Sequence, residues 1–311
     1  MLIKIRRAVL LLAVTLFMSA PLAQAGEKVT LVYTNSLNGW LDYCHCRDNP
    51  RGGLVKRATE IKKIRKQYGP VMLFETGDFF AYDGDTLLAD YVLKCYEYIR
   101  YDAVCPGDQE FTIGVSEFIK RRRILPFVCN NLMVNTGSGF KNYFSRYRIV
   151  EKGGVRIGVI GTMHPSVFRY YPSATTAGVR FSDQVSAVRE DVEALKKAGV
   201  SAVVLLSHSG FDVDRELCRA VPGIAVIVGG HSQTLLKKPV KCGRTLVVQA
   251  GANGSHIGIL QAVIKGGYVD TYNNSFRLPD EYQPADDPRI RRLIRQYSEE
   301  LKKKYDTLKF K

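Results

Sequence analysis

Five apolar segments of this sequence each end abruptly in a turn of glycine and polar residues. The turns cover residues 33–39, 75–78, 104–114, 205–208 and 228–233. The third turn leads from a short apolar run into a helical pattern, so residues 107–110 are predicted on a strand-to-helix turn. In open α/β sheets, ligands bind at the carboxyl ends of the strands. The five turns therefore predict one shared site.

Hydrophobic periodicity between these turns predicts an α/β sandwich built from two halves. Apolar residues at helical spacing predict helices over 54–68, 85–98 and 184–198, the last capped by Ser182 or Asp183 and ended by Gly199. Alternating apolar and polar residues predict a strand at 28–34, and short apolar segments predict strands at 71–74, 124–129 and 155–162. Apolar, β-branched runs predict further strands at 202–207, 224–228 and 245–250. A closing hairpin is predicted at 256–271, around Gly266 and Gly267.

The first 25 residues have the pattern of a secretory signal peptide. Three basic residues precede an apolar run at 8–18, and residues 23–25 have the small residues of a signal-peptide cleavage site. The run is too short to span a bilayer, which needs about 20 residues, and no long apolar run follows it. We therefore expect a soluble protein, periplasmic or secreted, with no transmembrane segment after the signal is removed.

The remaining chain is long enough to form one large α/β domain with a substantial core. We predict that domain over residues 26–285, followed by a basic amphipathic helix within 286–311. The net charge of +15 falls to +12 without the signal, whose only charged residues are three basic ones. This charge fits either a solvated basic surface or attraction to phosphate esters or membrane surfaces. Since no basic–aromatic motif is present, nucleic-acid binding is not indicated.

Residues at all five turns stand in the order and spacing of one known family. They are Thr34, Asn35, Gly77, Asp78, Gly107, Glu110, Phe111, Ser207, His208, Gly229, Gly230 and His231. In these blocks the chain resembles the calcineurin-like metallophosphoesterases, most closely the 5′-nucleotidase/UDP-sugar hydrolase branch. The resemblance implies a four-layer α/β/β/α sandwich with two mixed sheets, and a phosphoric-ester hydrolase that uses two metals.

The resemblance also implies one complete metal site. The matching ligand positions are Asp78, Asp108, His208 and His231, with Asp108 in place of the family's Asn. Two carboxylates and two imidazoles suit Zn²⁺, Mn²⁺ or Fe²⁺. We therefore predict one bound divalent metal, and leave its identity open.

The other functional positions of the family are degenerate in this chain. Ser36 and Asn38 stand where the family has the Asp and His ligands of the first metal, and Gln233 replaces its last His. A hydroxyl and neutral amides are poor ligands for a divalent transition metal. Gln109 replaces the catalytic His, and an amide can donate a hydrogen bond but cannot transfer a proton. Hydrolysis is therefore expected to be weak or altered.

The seven cysteines all follow the signal peptide. Cys44, His45 and Cys46 lie just after the degenerate first turn. They form an ordinary surface loop, or they provide substitute metal ligands or a redox pair near the degenerate first metal site. Because a bridge across one residue demands strained geometry, Cys44 and Cys46 are not expected to pair with each other. Cys95 and Cys218 lie on helical stripes, which predicts simple structural burial.

Three hypotheses for function follow from these observations. The first is an exported metallophosphoesterase-like protein with one metal site and weak hydrolysis of small anionic phosphate esters. The second is a non-catalytic protein that binds an anion or a protein partner in the same cleft. The third is a redox protein that works through Cys44 and Cys46.

Overall fold

Two mixed β-sheets face each other in the computed structural model, which describes residues 26–43, 52–279 and 285–309, with side chains as far as residue 306. The strands are β1 (Glu27–Thr34), β2 (Val71–Glu75), β3 (Ala103–Val104), β4 (Leu132–Asn135), β5 (Phe140–Lys141), β6 (Tyr147–Lys152), β7 (Val155–Met163), β8 (Val179–Phe181), β9 (Ala202–His208), β10 (Val226–Gly229), β11 (Val240–Cys242), β12 (Thr245–Val248), β13 (Ile257–Lys265) and β14 (Tyr268–Arg277). The helices are α1 (Leu54–Tyr68), α2 (Thr86–Ile99), α3 (Val115–Arg121), α4 (Ser173–Thr176), α5 (Gln184–Lys197), α6 (Phe211–Ala220) and α7 (Pro288–Lys309).

The first sheet has the strand order β14-β13-β1-β2-β3, and the second has the order β11-β12-β10-β9-β7-β6. In the first sheet β1, β2 and β3 are parallel, whereas β13 and β14 are antiparallel. In the second sheet β7, β9, β10 and β12 are parallel, and both edge strands are antiparallel. Both sheets are therefore mixed, as predicted. A small third sheet, β5-β4-β8, was not predicted.

Alternate residues of β9 face different layers. Val204 and Leu206 belong to the core between the two sheets, whereas Val203 and Leu205 pack in the cluster that includes residues of α5 and α6. The buried stripe of α1 joins the first core, and α2 and α7 pack beside it. The resulting order of helices, sheet, sheet and helices confirms the α/β/β/α sandwich.

Local sequence determines several of the element ends. Helix α1 has the predicted bounds, and Asp85 caps α2 by accepting hydrogen bonds from the N–H groups of Leu87 and Leu88. Of the two candidate caps for α5, Asp183 is the one used, and it accepts from the N–H of Ser186 at 2.8 Å. Carboxylates at these positions satisfy helix N–H groups that have no partner within the helix.

The strand predicted at 124–129 does not form. These residues make only isolated bridges, which pair Phe127 with Val104 and Val128 with Ser145. Pro126 has no N–H to donate to a strand ladder, so a continuous strand is interrupted there although the apolar side chains are buried.

Cys218 is buried on α6 as predicted, but it also forms a disulfide with Cys242 on β11, which the sequence did not predict. Helical periodicity reports burial but not the partner across the fold. Cys95, Cys105 and Cys129 are free and buried.

The amphipathic tail helix is present as α7, with Ile290 buried and Leu293, Ile294 and Tyr297 packed against the core. Across the described ranges, no helix is both long and apolar enough to cross a membrane. The predicted signal peptide, residues 1–25, lies outside the described residues.

Candidate metal centre

Asp78, Asp108, His208 and His231 meet at the edge where the parallel strands of both sheets end. Asp78 and Asp108 lie in the turns after β2 and β3, His208 ends β9, and His231 lies two residues after β10. One ligand atom from each of the four side chains lies within 4.8 Å of the others. The first three side chains are buried, and that of His231 is 35% exposed. The structure thus brings together the four residues singled out in the sequence.

The His208 ring is held in one orientation by the backbone. Its Nδ1 lies 2.6 Å from the carbonyl oxygen of Thr76, which can only accept, so Nδ1 carries a proton. Its Nε2 lies 2.9 Å from Asp108 Oδ1 and 3.3 Å from Asp78 Oδ1. Burial of the ring opposes a charge, but the two carboxylates outweigh it and raise the pKa of His208 well above its usual value. The two carboxylates therefore favour a positive charge next to them, at Nε2 of the His208 ring.

The pKa values of the two carboxylates are shifted in opposite directions. Burial works to raise the pKa of Asp108, but hydrogen bonds from His208 and His231 outweigh it and hold that pKa below its usual range. Burial raises the pKa of Asp78, and the negative charge of Asp108 adds to the effect. Two buried carboxylates this close repel each other unless positive charge lies between them.

These donors fit a divalent metal. Two carboxylate oxygens and two imidazole nitrogens form a set that Zn²⁺, Mn²⁺ and Fe²⁺ accept. Surrounding groups orient them: the Thr76 carbonyl accepts from His208, and the Tyr171 hydroxyl donates to Asp108 at 2.8 Å. The backbone N–H of Gln109 donates to Asp78 Oδ1 at 3.2 Å. Such outer hydrogen bonds are the usual support of metal ligands in proteins.

Glu110 ties the two turns that carry the acidic ligands. Its Oε1 accepts from the N–H groups of Phe79 at 2.8 Å and Phe80 at 3.0 Å, and its Oε2 accepts from those of Asp78 at 3.0 Å and Gly107 at 2.5 Å. Burial and the nearby charge of Asp78 raise the pKa of Glu110. However, all four N–H groups need an oxygen lone pair, so they favour the carboxylate. The sequence marks Glu110 only as a motif position, and its role becomes clear from these contacts.

Glycine lets these turns approach each other. A Cβ atom at Gly107 would lie 2.5 Å from Asp78 Oδ1, and one at Gly77 would lie 2.7 Å from His208 Nδ1. Neither ligand could keep its position beside a larger residue.

Backbone strain is concentrated at the same edge. Of the seven non-glycine residues with positive φ in the described chain, six lie here: Ser36 (46°), Asn38 (55°), Asp78 (59°), His231 (63°), Gln233 (53°) and Asn253 (55°). Such conformations cost of order 1–3 kcal/mol each and persist where the surrounding structure enforces them, often at functional sites. Ser36, Asn38 and Gln233, the degenerate positions, are among these residues. The loops that carry them therefore keep the strained backbone that is common at functional sites.

At the degenerate positions neutral amides bond to one another. Gln109 Nε2 donates to Asn38 Oδ1 at 3.0 Å, and Asn38 Nδ2 donates to Asn253 Oδ1 at 2.6 Å. Gln233 Nε2 donates to the Tyr82 hydroxyl at 3.3 Å. Gln109 Oε1 is buried without a hydrogen-bond partner among the residues described. The predicted Cys44, His45 and Cys46 lie outside the described residues.

In its fold the chain is similar to 5′-nucleotidases and to calcineurin-like phosphoesterases. No family model matches the chain. Among solved structures, a 5′-nucleotidase precursor from Thermus thermophilus superposes with a TM-score of 0.78 at 25% identity, covering 88% of this chain and 59% of that one. The calcineurin-like phosphoesterase YfkN from Bacillus subtilis gives a TM-score of 0.72 at 19% identity, covering 88% of this chain and 97% of that one.

Sequence comparison also finds 5′-nucleotidases. The 5′-nucleotidase of Bos taurus is 28% identical in an alignment that covers 88% of this chain and 53% of that protein. The chain spans about half the length of the curated relatives it matches. It is therefore related to the 5′-nucleotidases.

Proposed function

We propose that this protein is an exported relative of the 5′-nucleotidases that binds one divalent cation through Asp78, Asp108, His208 and His231. The convergence of four ligand atoms within 4.8 Å supports the proposal most directly. His208 adds to it, because Nδ1 is committed to a backbone carbonyl while Nε2 faces two carboxylate oxygens. When bound, a divalent cation would supply Lewis-acid stabilisation of charge that develops on phosphate oxygens.

The protein is proposed to hydrolyse small anionic phosphate esters only slowly. The amide chain from Gln109 through Asn38 to Asn253 supports this, because its members satisfy one another where the related family holds another metal. Gln109 can orient a substrate oxygen but cannot protonate a leaving group. General acid–base catalysis typically contributes about 10²–10⁴-fold. Turnover of nucleoside monophosphates with added Mn²⁺ on the order of 10 s⁻¹, the value of an ordinary enzyme, would contradict the proposal.

Metal stoichiometry tests the binding itself. Elemental analysis of the purified protein should find about one metal per chain, and almost none in Asp108→Ala or His231→Ala, since each variant removes one of four donors. Asp212→Ala is the matched control for Asp108→Ala, because Asp212 is an exposed carboxylate outside the cluster, and it should keep the wild-type metal content.

A wild type that carries no metal and gains no stability from Mn²⁺, Zn²⁺ or Fe²⁺ would refute the metal site. The non-catalytic anion-binding protein would then be the better hypothesis. The redox hypothesis depends on Cys44 and Cys46, and thiol titration before and after reduction tests it separately.

A further inference from the structure

Tyr171 contacts the candidate metal centre although it belongs to none of the five turns. Its hydroxyl donates to Asp108 Oδ2 at 2.8 Å, across 63 residues of sequence. The ring is half-buried, and it packs edge-on against Phe168 with centroids 5.4 Å apart. A carboxylate oxygen accepts from a phenol hydroxyl, so the hydroxyl of Tyr171 is the donor in this contact.

The two oxygens of Asp108 have different partners. Oδ1 faces the cluster, where it lies 2.9 Å from His208 Nε2 and 3.0 Å from His231 Nδ1. Oδ2 accepts a hydrogen bond from the Tyr171 hydroxyl. The hydrogen bond to Tyr171 restricts rotation of the carboxylate and keeps Oδ1 beside the two histidine nitrogens.

The departure of the sequence from the family at position 108 explains why a donor is needed. An asparagine side chain has one oxygen and one NH₂ group, whereas Asp108 has two oxygens that both require donors. Oδ1 lies against the two histidine nitrogens, with which it would share the cation, and Tyr171 donates to Oδ2. The acidic ligand and its tyrosine thus form a matched pair.

The segment that carries Tyr171 is anchored on the same turn as Asp108. Phe168 packs against Phe111 with ring centroids 5.5 Å apart, and Phe111 ends the 3₁₀ turn that begins directly after Asp108. The aromatic contact fixes where the Tyr171 hydroxyl lies, so the position of Asp108 depends on packing in the segment between β7 and β8.

We propose that Tyr171 is a positioning residue for the metal centre: it holds Asp108 so that a single oxygen, Oδ1, is presented as ligand. The inference rests on the proposed function, because it concerns how tightly that site binds its cation. Removing a group that hydrogen-bonds to a metal ligand typically weakens metal affinity by about 10–100-fold. Tyr171→Phe, which keeps the ring and removes only the hydroxyl, should therefore weaken Mn²⁺ or Zn²⁺ binding by about 10-fold or more.

The test is calorimetric titration of Mn²⁺ and of Zn²⁺ into the metal-free full chain of the wild type, Tyr171→Phe and Tyr170→Phe. Tyr170 is the matched control, because it is the neighbouring tyrosine and is 90% exposed, and its variant should bind like the wild type. Circular dichroism and thermal melting establish that each variant is folded. If Tyr171→Phe does not fold, Tyr171→Leu, which also lacks the hydroxyl, replaces it. Failure of both variants to fold would overturn the proposal, since the hydroxyl would then serve the fold.

A double-mutant cycle with Asp108→Asn separates positioning from a general structural effect. If Tyr171 acts through the carboxylate, its replacement should cost less affinity in the Asp108→Asn protein than in the wild type. Equal losses in both backgrounds, or equal affinity of the wild type and Tyr171→Phe, would overturn this inference and leave the metal site standing. A wild type that binds no metal would overturn the proposed function and this inference with it.

Discussion

The carboxylate of Glu110 should be one of the most important single groups for the stability of this protein. It accepts four backbone hydrogen bonds from two turns and is fully buried. In Glu110→Gln one oxygen becomes an NH₂ group that faces two N–H donors. At least two hydrogen bonds to a charged acceptor are lost, each worth about 1.5–3 kcal/mol. The expected loss in free energy of unfolding is therefore about 3–6 kcal/mol.

A loss of this size is a large part of the roughly 5–15 kcal/mol that typically stabilises a folded domain. Urea unfolding of the wild type and of Glu110→Gln measures it directly. Glu117→Gln is the matched control, because Glu117 is a half-buried surface carboxylate that pairs with Lys120 and Arg121 on α3, and the unfolding midpoint of this variant should hardly move. If Glu110→Gln lost less than about 1 kcal/mol, the four N–H groups would have other acceptors, and the argument for a carboxylate tie would fail.

Two further predictions concern the second half of the fold. Burial raises the pKa of Asp214 from 3.8 to about 7, so the stability gained from its protonation is complete below pH 3.8 and is lost as pH rises through 7. The free energy of unfolding of the wild type should therefore decrease between acid and neutral pH, and in Asp214→Asn this decrease should be smaller by about 4 kcal/mol. Urea unfolding at both pH values measures it, and an equal decrease in wild type and variant would contradict the raised pKa of Asp214. The Cys218–Cys242 bridge spans 24 residues, so Cys218→Ser with Cys242→Ser should cost roughly 3 kcal/mol. Unfolding with and without a reducing agent checks this, and a wild type unaffected by reduction would argue against the bridge.

Local patterns in the sequence determined much of the fold. Helical spacing located α1 to the residue, and the Gly266-Gly267 pair located the turn between β13 and β14. These predictions succeeded because periodicity and turn chemistry depend on neighbours in the chain. The strand predicted at 124–129 failed where Pro126 removed a donor from the ladder.

The sequence also determined which residues belong to the candidate site. Asp78, Asp108, His208 and His231 each lie at or just after the end of a strand, and parallel strands of the two sheets end at one edge. Motif spacing alone could therefore identify them.

Only the tertiary structure decided how those residues are held. The contact of Tyr171 with Asp108, the four N–H groups around Glu110, and the bridge from Cys218 to Cys242 join segments that lie far apart in sequence or on different elements. Each depends on how close two packed elements come and on which atoms then lack a partner. Spacing along the chain carries no information on either quantity, because both are set by side chains that meet after the sheets and helices have packed.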